Sequence, residues 1–254
     1  MKIRVLGCDG GLHPGFTSPA YLVNDSVLFD AGQVVTELTI DQQDQVRDVF
    51  VTHFHLDHCK DIAFLSDNAL GRDDLPIRVY APHNTIEFFR KYYFNNINWP
   101  DFTTITSGGS PVVKLVGFEV GEELTVQGIS VRSFPLEHVI ESVVYIIGQD
   151  GSKFIYTGDT GPSKMLWRIV NEHIDIKAII VETSFPNELQ NIADVSGHYT
   201  PQTLARDLRG LSRDDIIIYI HHLKPNHYDQ VQREIEAIGR PNIIILRRGQ
   251  VLNV

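Results

Sequence analysis

The chain has little cysteine and no long apolar run. Cys8 and Cys59 are the only cysteines in 254 residues. Two cysteines this far apart do not form a disulfide framework, so we expect the reducing environment of the cytoplasm. No apolar stretch approaches the ~18 residues of a membrane span, and the N-terminus lacks the apolar core of a secretory signal. The sequence therefore predicts a cytoplasmic protein with no membrane partner.

Positive charge is also scarce. Lys and Arg number 22 against 32 Asp and Glu, which gives a formal net charge of −10. A protein that gripped nucleic acid through its phosphates would need the opposite excess, so the balance argues against a nucleic-acid partner. The apolar share of 43% and the charged share of 21% are ordinary for a globular protein. Without repeats or linker-like tracts, residues 1–254 are predicted to form one domain.

Strands dominate the first two thirds of the sequence, and strands alternate with helices in the last third. Hydrophobic patterns predict strands at 2–6, 20–23, 27–29, 46–52, 77–81, 112–116, 124–126, 129–134, 143–147, 154–157, 178–182, 215–220 and 242–246. They predict helices at 57–70, 83–98, 162–173, 201–210 and 226–238. Two strand-rich halves, each followed by helices, favour two sheets packed face to face beneath outer helices.

The strongest chemical signal is the sequence HFHLDH at positions 53–58, directly after a predicted strand. Alternate residues at a strand end project to the same side, so His53 and His55 can bind one ion together. Asp57 and His58 follow a turn at the start of the next helix and can reach a neighbouring ion. Three imidazoles and a carboxylate suit zinc, with iron and manganese as alternatives.

Further ligand residue types stand at the carboxyl ends of later predicted strands. His138 follows one strand, Asp159 lies in the glycine-flanked sequence TGDTG, and His221 and His222 end a third strand. Taken singly, each has an ordinary interpretation as a half-buried histidine, a helix cap or a surface residue. Functional groups in layered α/β proteins gather at the carboxyl ends of strands. Their joint placement therefore predicts a metal site, with His221 and His222 as alternatives.

This order of motifs resembles the metallo-β-lactamase superfamily over most of the chain. The resemblance implies an α/β fold: a four-layer αββα sandwich of two mixed β-sheets with helices outside. It also implies two divalent metal ions at one edge of the sheets, zinc first, with manganese or iron as alternatives. The implied ligands are His53, His55 and His138 for the first ion, Asp57, His58 and one strand-end histidine for the second, and Asp159 as a bridge. The segment IHHLKP at 220–225 is similar to a Thr-His-x-Lys-Pro segment of related hydrolases, which selects His222.

A narrower resemblance is to the class II cyclic-nucleotide phosphodiesterases. It is carried by HLDH at 55–58, GDTGP at 158–162, ETSFPNE at 182–188 and GHYTP at 197–201. The implied activity is hydrolysis of 3′,5′-cyclic nucleotides, cAMP or cGMP, to 5′-nucleotides by a metal-bound hydroxide. His198 resembles the non-ligand histidine that assists the leaving group in this branch, which includes RNase Z. Glu182 resembles its acidic partner. With Asp57, these two residues form the expected catalytic set.

His198 also has a physical argument of its own. It precedes Thr200-Pro201, which reads as a helix cap followed by proline at the first helical position. Free backbone N–H groups and the helix dipole at such a start favour a phosphoryl group nearby. The ordinary interpretation is a loop histidine without a role.

Several alternatives stay open at this point. An RNase Z-like nuclease, a lactone or thioester hydrolase, and a non-catalytic metal-binding or di-iron redox module share the fold. The expected partner is a small-molecule phosphodiester. The aromatic residues in 88–99 favour packing in the core or at a subunit interface, which would be that of a homodimer, over stacking on a nucleobase.

Overall fold

Two mixed β-sheets of seven strands each form the centre of the molecule in a computed structural model, which describes residues 1–71, 76–136 and 138–254. The strands in chain order are β1 (Lys2–Gly7), β2 (Ala20–Val23), β3 (Val27–Phe29), β4 (Asp48–Phe50), β5 (Ile77–Pro82), β6 (Thr106–Ser107), β7 (Ser110–Pro111), β8 (Val113–Phe118), β9 (Glu123–Val126), β10 (Ile129–Leu136), β11 (Ser142–Gln149), β12 (Ser152–Tyr156), β13 (Ile176–Glu182), β14 (Ile217–His221), β15 (Ile243–Ile245) and β16 (Val251–Asn253). The first sheet has the order β16-β1-β2-β3-β4-β5-β8 and the second β15-β14-β13-β12-β11-β10-β9, while β6 and β7 pair separately.

Helices cover the outer faces of both sheets. The α-helices of the described ranges are α1 (Ile40–Gln43), α2 (Leu56–Cys59), α3 (Asp61–Asn68), α4 (His83–Phe88), α5 (Lys164–Glu172), α6 (Gln190–Ser196), α7 (Pro201–Asp207) and α8 (Tyr228–Glu236), of which all but α1 and α6 contribute to the outer apolar clusters. Short 3₁₀ turns lie at Asn187–Leu189, Leu208–Gly210 and Pro225–His227. No helix in these described ranges has the length and apolarity needed to cross a membrane.

Three separate apolar clusters show that the layers are stacked in the order helix, sheet, sheet, helix. Successive side chains of a strand point to opposite faces of its sheet, so neighbouring residues belong to different apolar clusters. In β4, Val49 packs with Ile62 of α3, whereas Phe50 faces the second sheet and contacts the ring of Tyr145 at 5.6 Å between centroids. In β14, Ile220 packs under the outer helices and Tyr219 lies between the sheets. The predicted αββα sandwich is confirmed.

Helix boundaries differ from the sequence pattern where tertiary contacts intervene. The predicted helix 57–70 is two helices that part at Lys60, because the backbone N–H of Asp61 donates to Ala31 at 2.9 Å. The predicted helix 83–98 ends at Tyr93 after a π-helical turn. Just beyond it, the side chain of Asn95 accepts the backbone N–H groups of the next loop and so competes with the helix. The pattern also missed α1 and α6.

The aromatic segment packs mainly inward. Phe89, Tyr93 and Phe94 are buried against the first sheet, and Tyr93 donates its hydroxyl to the carbonyl of Cys59 at 2.7 Å. These three rings are core residues, so they are not free to stack on a nucleobase. A homodimer stays a prediction.

Replacing Phe50 tests the contact between the two sheets. Its ring is fully buried and stacks between Phe29 at 5.2 Å and Tyr80 at 4.6 Å. We expect Phe50→Ala to lower the free energy of unfolding by ~3–5 kcal/mol, because it removes apolar burial and leaves a cavity. Urea unfolding of the metal-free protein measures the change. Ile97→Ala, at a side chain that is 92% exposed, is the matched control and should stay within ~0.5 kcal/mol. Equal losses in the two variants would contradict the assignment.

Candidate metal centre

The seven predicted metal ligands meet at one edge of the two sheets. His53 and His55 follow β4, and Asp57 and His58 lie on α2. The remaining three come from the ends of strands in the second sheet, at β10, β12 and β14: His138, Asp159 and His222. Their donor atoms form two groups, each with all atoms within 4.8 Å of one another, that could hold a metal ion: His53, His55, His138 and Asp159 in the first, and Asp57, His58, Asp159 and His222 in the second.

Asp159 belongs to both groups through different oxygens. Its Oδ2 lies 3.8 Å from Nε2 of His53 in the first group. Its Oδ1 lies 3.2 Å from Nε2 of His58 and 3.2 Å from Nε2 of His222 in the second. The carboxylate is buried, and these histidines hold its pKa well below the usual range in spite of that burial. A carboxylate placed in this way could act as a ligand in both groups.

The first group is a cluster of converging imidazole nitrogens. Nδ1 of His55 lies 3.0 Å from Nε2 of His53 and 3.4 Å from Nε2 of His138. Burial, with the neighbouring His58, lowers the pKa of His53 well below its ordinary value, and burial with His138 lowers the pKa of His55. These two imidazoles are therefore neutral near pH 7, the state in which a histidine binds a metal.

The second group carries more negative charge. Burial would raise the pKa of Asp57, but the neighbouring imidazoles of His222 and His58 hold it well below its usual range. Burial alone would lower the pKa of His58, but the carboxylates of Asp159 and Asp30 outweigh this effect and raise the pKa. Two carboxylates facing two imidazoles would attract a divalent cation.

Unpaired buried atoms test whether cations fit these groups. Nε2 of His58 and Oδ1 of Asp159 are buried without a hydrogen-bond partner, although they lie 3.2 Å apart. An unpaired buried polar group costs ~1–3 kcal/mol. A cation between the two atoms would satisfy both lone pairs. Each group offers four donors, drawn from imidazole nitrogens and carboxylate oxygens, and such a set fits zinc and also iron or manganese.

Asp30 supports the candidate ligands, and no sequence motif marked it. Its carboxylate is fully buried and accepts hydrogen bonds from Nδ1 of His58 at 2.7 Å, the hydroxyl of Tyr156 at 2.5 Å and Oγ1 of Thr52 at 2.9 Å. Thr52 lies 3.0 Å from Nδ1 of His53 through the same hydroxyl. Such contacts fix the ring orientation of metal-binding histidines. The available signal was an aspartate directly after β3, at the same sheet edge.

His222 and His221 lie in different surroundings. Along β14, His221 faces the space between the sheets, where its ring lies 5.8 Å from that of Tyr21 and 5.5 Å from that of Tyr156. His222 has a φ of +66°, which ends the strand and breaks its alternation. This left-handed turn directs Nε2 to within 3.4 Å of Oδ2 of Asp57. The structure thus brings His222, and not His221, to the second group.

The glycine-rich loop after β1 packs against His222. The backbone N–H of His222 donates to Cys8 at 2.6 Å, and that of Gly10 donates to Leu223 at 3.0 Å. A Cβ atom at Gly10 would lie 2.4 Å from the carbonyl oxygen of His222, so only glycine fits. The loop therefore supports a candidate ligand.

Glu182 and His198 form a buried pair beside both groups. Oε1 of Glu182 accepts the Nδ1 proton of His198 at 2.5 Å and the backbone N–H of Thr160 at 3.0 Å. The His198 ring stacks on that of His222 at 5.6 Å and lies 5.2 Å from that of His138. Burial lowers the pKa of His198, but the Glu182 carboxylate outweighs it and the pKa is raised. Nδ1 is taken by Glu182, and Nε2 makes no hydrogen bond to any residue within the described ranges.

One expectation about His198 is wrong. The helix after it does begin at Thr200-Pro201, but the first backbone N–H groups are not free for a phosphoryl group. The N–H of Gln202 donates to Asn187 at 2.7 Å, and that of Thr203 donates to the Thr200 side chain at 3.4 Å. The carboxylate of Glu182, rather than a helix end, holds His198 in place.

Comparisons with known proteins agree with this geometry. A family model described as "Beta-lactamase superfamily domain" matches residues 26–222. The chain is 27% identical to a "Probable 3',5'-cyclic-nucleotide phosphodiesterase" of Yersinia pestis, over 89% of this chain and 78% of that protein. It is 28% identical to a "3',5'-cyclic-nucleotide phosphodiesterase" of Aliivibrio fischeri, over 86% and 80% of the two chains. The crystal structure of unliganded yeast PDE1 superposes with a TM-score of 0.84 at 18% identity, covering 100% and 99% of the two chains.

Removing the carboxylate of Asp159 should weaken both ion sites at once. We expect Asp159→Ala to abolish activity and to lower the content of both metals, because each group loses one oxygen. Elemental analysis after reconstitution and gel filtration measures the stoichiometry. Asp214→Ala, at a carboxylate that is 99% exposed, should retain the wild-type metal content. Two full equivalents in Asp159→Ala would remove the bridging assignment.

The neighbouring histidines at the end of β14 provide a matched pair of variants. His222→Ala should empty mainly the second site, because its Nε2 belongs to that group. His221→Ala should keep both ions and lower only the melting temperature, since its ring is buried between the sheets. Metal titration and thermal unfolding together measure the two effects. The reverse pattern would show that His221 is the ligand.

Proposed function

The chain belongs to the metallo-β-lactamase superfamily, and we propose that it is a metal-dependent phosphodiesterase acting on 3′,5′-cyclic nucleotides. The products would be 5′-nucleotides. The observation that carries this proposal is the buried pair of His198 and Glu182, whose position beside two metal-binding groups suits a proton donor for a leaving alkoxide. The names of the two bacterial relatives, which align over most of the chain, support the same substrate class.

The ligand groups would position two divalent cations around Asp159. Bound there, the cations would lower the pKa of a water towards neutrality and offset the charge on the phosphoryl oxygens. The chain itself supplies the spacing, because the two oxygens of Asp159 face different groups. Asp57 retains 30% side-chain exposure, so its carboxylate can accept a hydrogen bond from a water at the second group.

His198 would handle the proton of the leaving group. With Nδ1 bonded to Glu182, the ring can hold a proton at Nε2 and deliver it to the departing 3′ oxygen. The raised pKa of His198, which the Glu182 carboxylate causes against the effect of burial, favours the protonated ring. Glu182 also orients the ring, since its own position is set by the N–H of Thr160.

A cavity of about 260 Å³ beside His138 offers space for the organic part of a small substrate. Val139 and Val195 line it with apolar side chains that are 55% and 78% exposed, and Asp194 adds a carboxylate. Exposed apolar residues next to a polar centre are typical of ligand sites. A nucleoside would place its base on these side chains.

The alternatives fit the same residues less well. The net charge of −10 gives an RNase Z-like enzyme little attraction for a polyanionic RNA. A lactone or thioester hydrolase shares the fold, but its leaving group does not need a dedicated carboxylate-held imidazole as strongly as a ribose alkoxide does. A non-catalytic or di-iron redox module would leave that pair without a function.

A hydrolysis panel tests the proposal. Protein reconstituted separately with zinc, manganese and iron is assayed against cAMP, cGMP, bis(p-nitrophenyl) phosphate, a lactone and a glutathione thioester. We expect a cyclic nucleotide to give the highest kcat/KM, with the 5′-nucleotide as product, and Asp159→Ala to serve as the inactive control. Cleavage of the lactone or thioester without any cleavage of cyclic nucleotide would overturn the assignment.

Changing His198 separates proton donation from metal binding. His198→Ala should keep both ions, because the ring belongs to neither of the two ligand groups that share Asp159. Turnover of cyclic nucleotide should fall by ~10²–10⁴-fold. With bis(p-nitrophenyl) phosphate the defect should be much smaller, because p-nitrophenolate leaves without a proton. An equal defect on both substrates would point to phosphate positioning alone, and loss of metal would contradict the catalytic role.

A further inference from the structure

The hydroxyl of Ser184 joins the proton-handling pair to the second ligand group. Ser184 follows β13 and is fully buried. Its Oγ lies 2.8 Å from Oε2 of Glu182, 2.8 Å from Nδ1 of His222 and 3.2 Å from Nδ1 of His198. Three buried functional groups thus share one hydroxyl, to which the motif analysis assigned no role.

Counting protons determines the direction of these hydrogen bonds. An ionised carboxylate only accepts, and a hydroxyl has a single proton to donate. Oε1 of Glu182 is taken by His198 and by the backbone N–H of Thr160, so Oε2 is left for the Ser184 proton. Having donated to Glu182, Ser184 can only accept from His222. The Nδ1 atom of His222 must then carry the proton.

This direction determines which nitrogen of His222 faces the second group. With the proton on Nδ1, Nε2 keeps its lone pair, and it lies 3.2 Å from Oδ1 of Asp159 and 3.4 Å from Oδ2 of Asp57. Within the described ranges, Ser184 is the hydrogen-bond partner of the Nδ1 atom, and Gly10 packs against the same side of the ring.

We propose that Ser184 is a positioning residue: its hydroxyl holds His222 in the Nδ1–H tautomer and aims Nε2 at the second ion. The same hydroxyl links this ligand to Glu182, the carboxylate that holds His198. The inference rests on the proposed function only in taking the second group to bind a cation. It does not depend on which substrate the enzyme cleaves.

The tautomer can be measured directly in the zinc-loaded protein. Long-range ¹H–¹⁵N spectra at one neutral pH, assigned by the signals lost in His222→Ala, should show His222 as a single Nδ1–H tautomer. In Ser184→Ala the Nδ1 proton loses its acceptor, so we expect its signal to broaden through faster exchange with water. An Nε2–H tautomer at position 222 in the zinc-loaded wild-type protein would overturn the proposal, without any variant being made.

Metal titration supplies the second readout. In Ser184→Ala the second equivalent should bind ~10–100-fold more weakly, the usual cost of losing a contact that orients a metal-binding histidine. The first equivalent should bind as in the wild type. Unchanged affinity for both ions would overturn the role, and so would equal weakening of both, which would indicate general loss of structure.

Two further variants control for folding. Thr183→Val removes the neighbouring buried hydroxyl, which donates to the carbonyl of Glu182 at 2.8 Å, and should leave the tautomer and both affinities unchanged. Ser184→Thr keeps a hydroxyl and should restore the second affinity towards the wild type. If Ser184→Ala fails to fold, the wild-type spectrum and Ser184→Thr still decide the matter. Neither readout involves hydrolysis, so failure of the proposed function would leave a distinct result.

Discussion

The buried carboxylate of Asp30 is the contact on which the arrangement of sheets and site depends. Its oxygens accept hydrogen bonds from Thr52, after β4 of the first sheet, and from Tyr156, at the end of β12 of the second. It also accepts from His58 on α2. A buried carboxylate is costly unless several donors surround it, and here charge-assisted hydrogen bonds from both sheets do so. The same carboxylate therefore links the two sheets and orients a candidate ligand.

The direction of the strands explains why the site lies at this edge. β3, β4, β5 and β8 run parallel in the first sheet, and β12 to β15 run parallel in the second. Their carboxyl ends therefore bring side chains from distant parts of the chain to one edge. Neither sheet alone carries a complete ligand group, because Asp159 comes from the second sheet and His58 follows the first. Such a site exists only in the folded state, which couples metal binding to stability.

The sequence predicted the layers and the candidate ligands because both follow from local patterns. Apolar alternation indicates strands, and the histidines and aspartates stand where those strands end. Asp30 was not predicted, because a lone aspartate after a three-residue strand has no spacing that marks it. Contacts distant in sequence also escaped the pattern. The backbone N–H of Asp61 donates to the carbonyl of Ala31, which divides a predicted helix. The side chain of Asn187 accepts the backbone N–H of Gln202 at the start of α7.

A common rule governs the imidazoles of the centre. Each of five rings is held at Nδ1 by a neighbouring group and so presents Nε2: His53 by Thr52, His58 by Asp30, His138 by the carbonyl of Gly197, His198 by Glu182 and His222 by Ser184. The contacts of His55 with the other ligands involve its Nδ1 instead. The holding groups are two carboxylates, two hydroxyls and a carbonyl, so the surrounding fold and not the ligand motif sets the ring orientations. Folding thus bears the entropic cost of ordering these rings, and a cation or substrate would meet a set of donors that already converge.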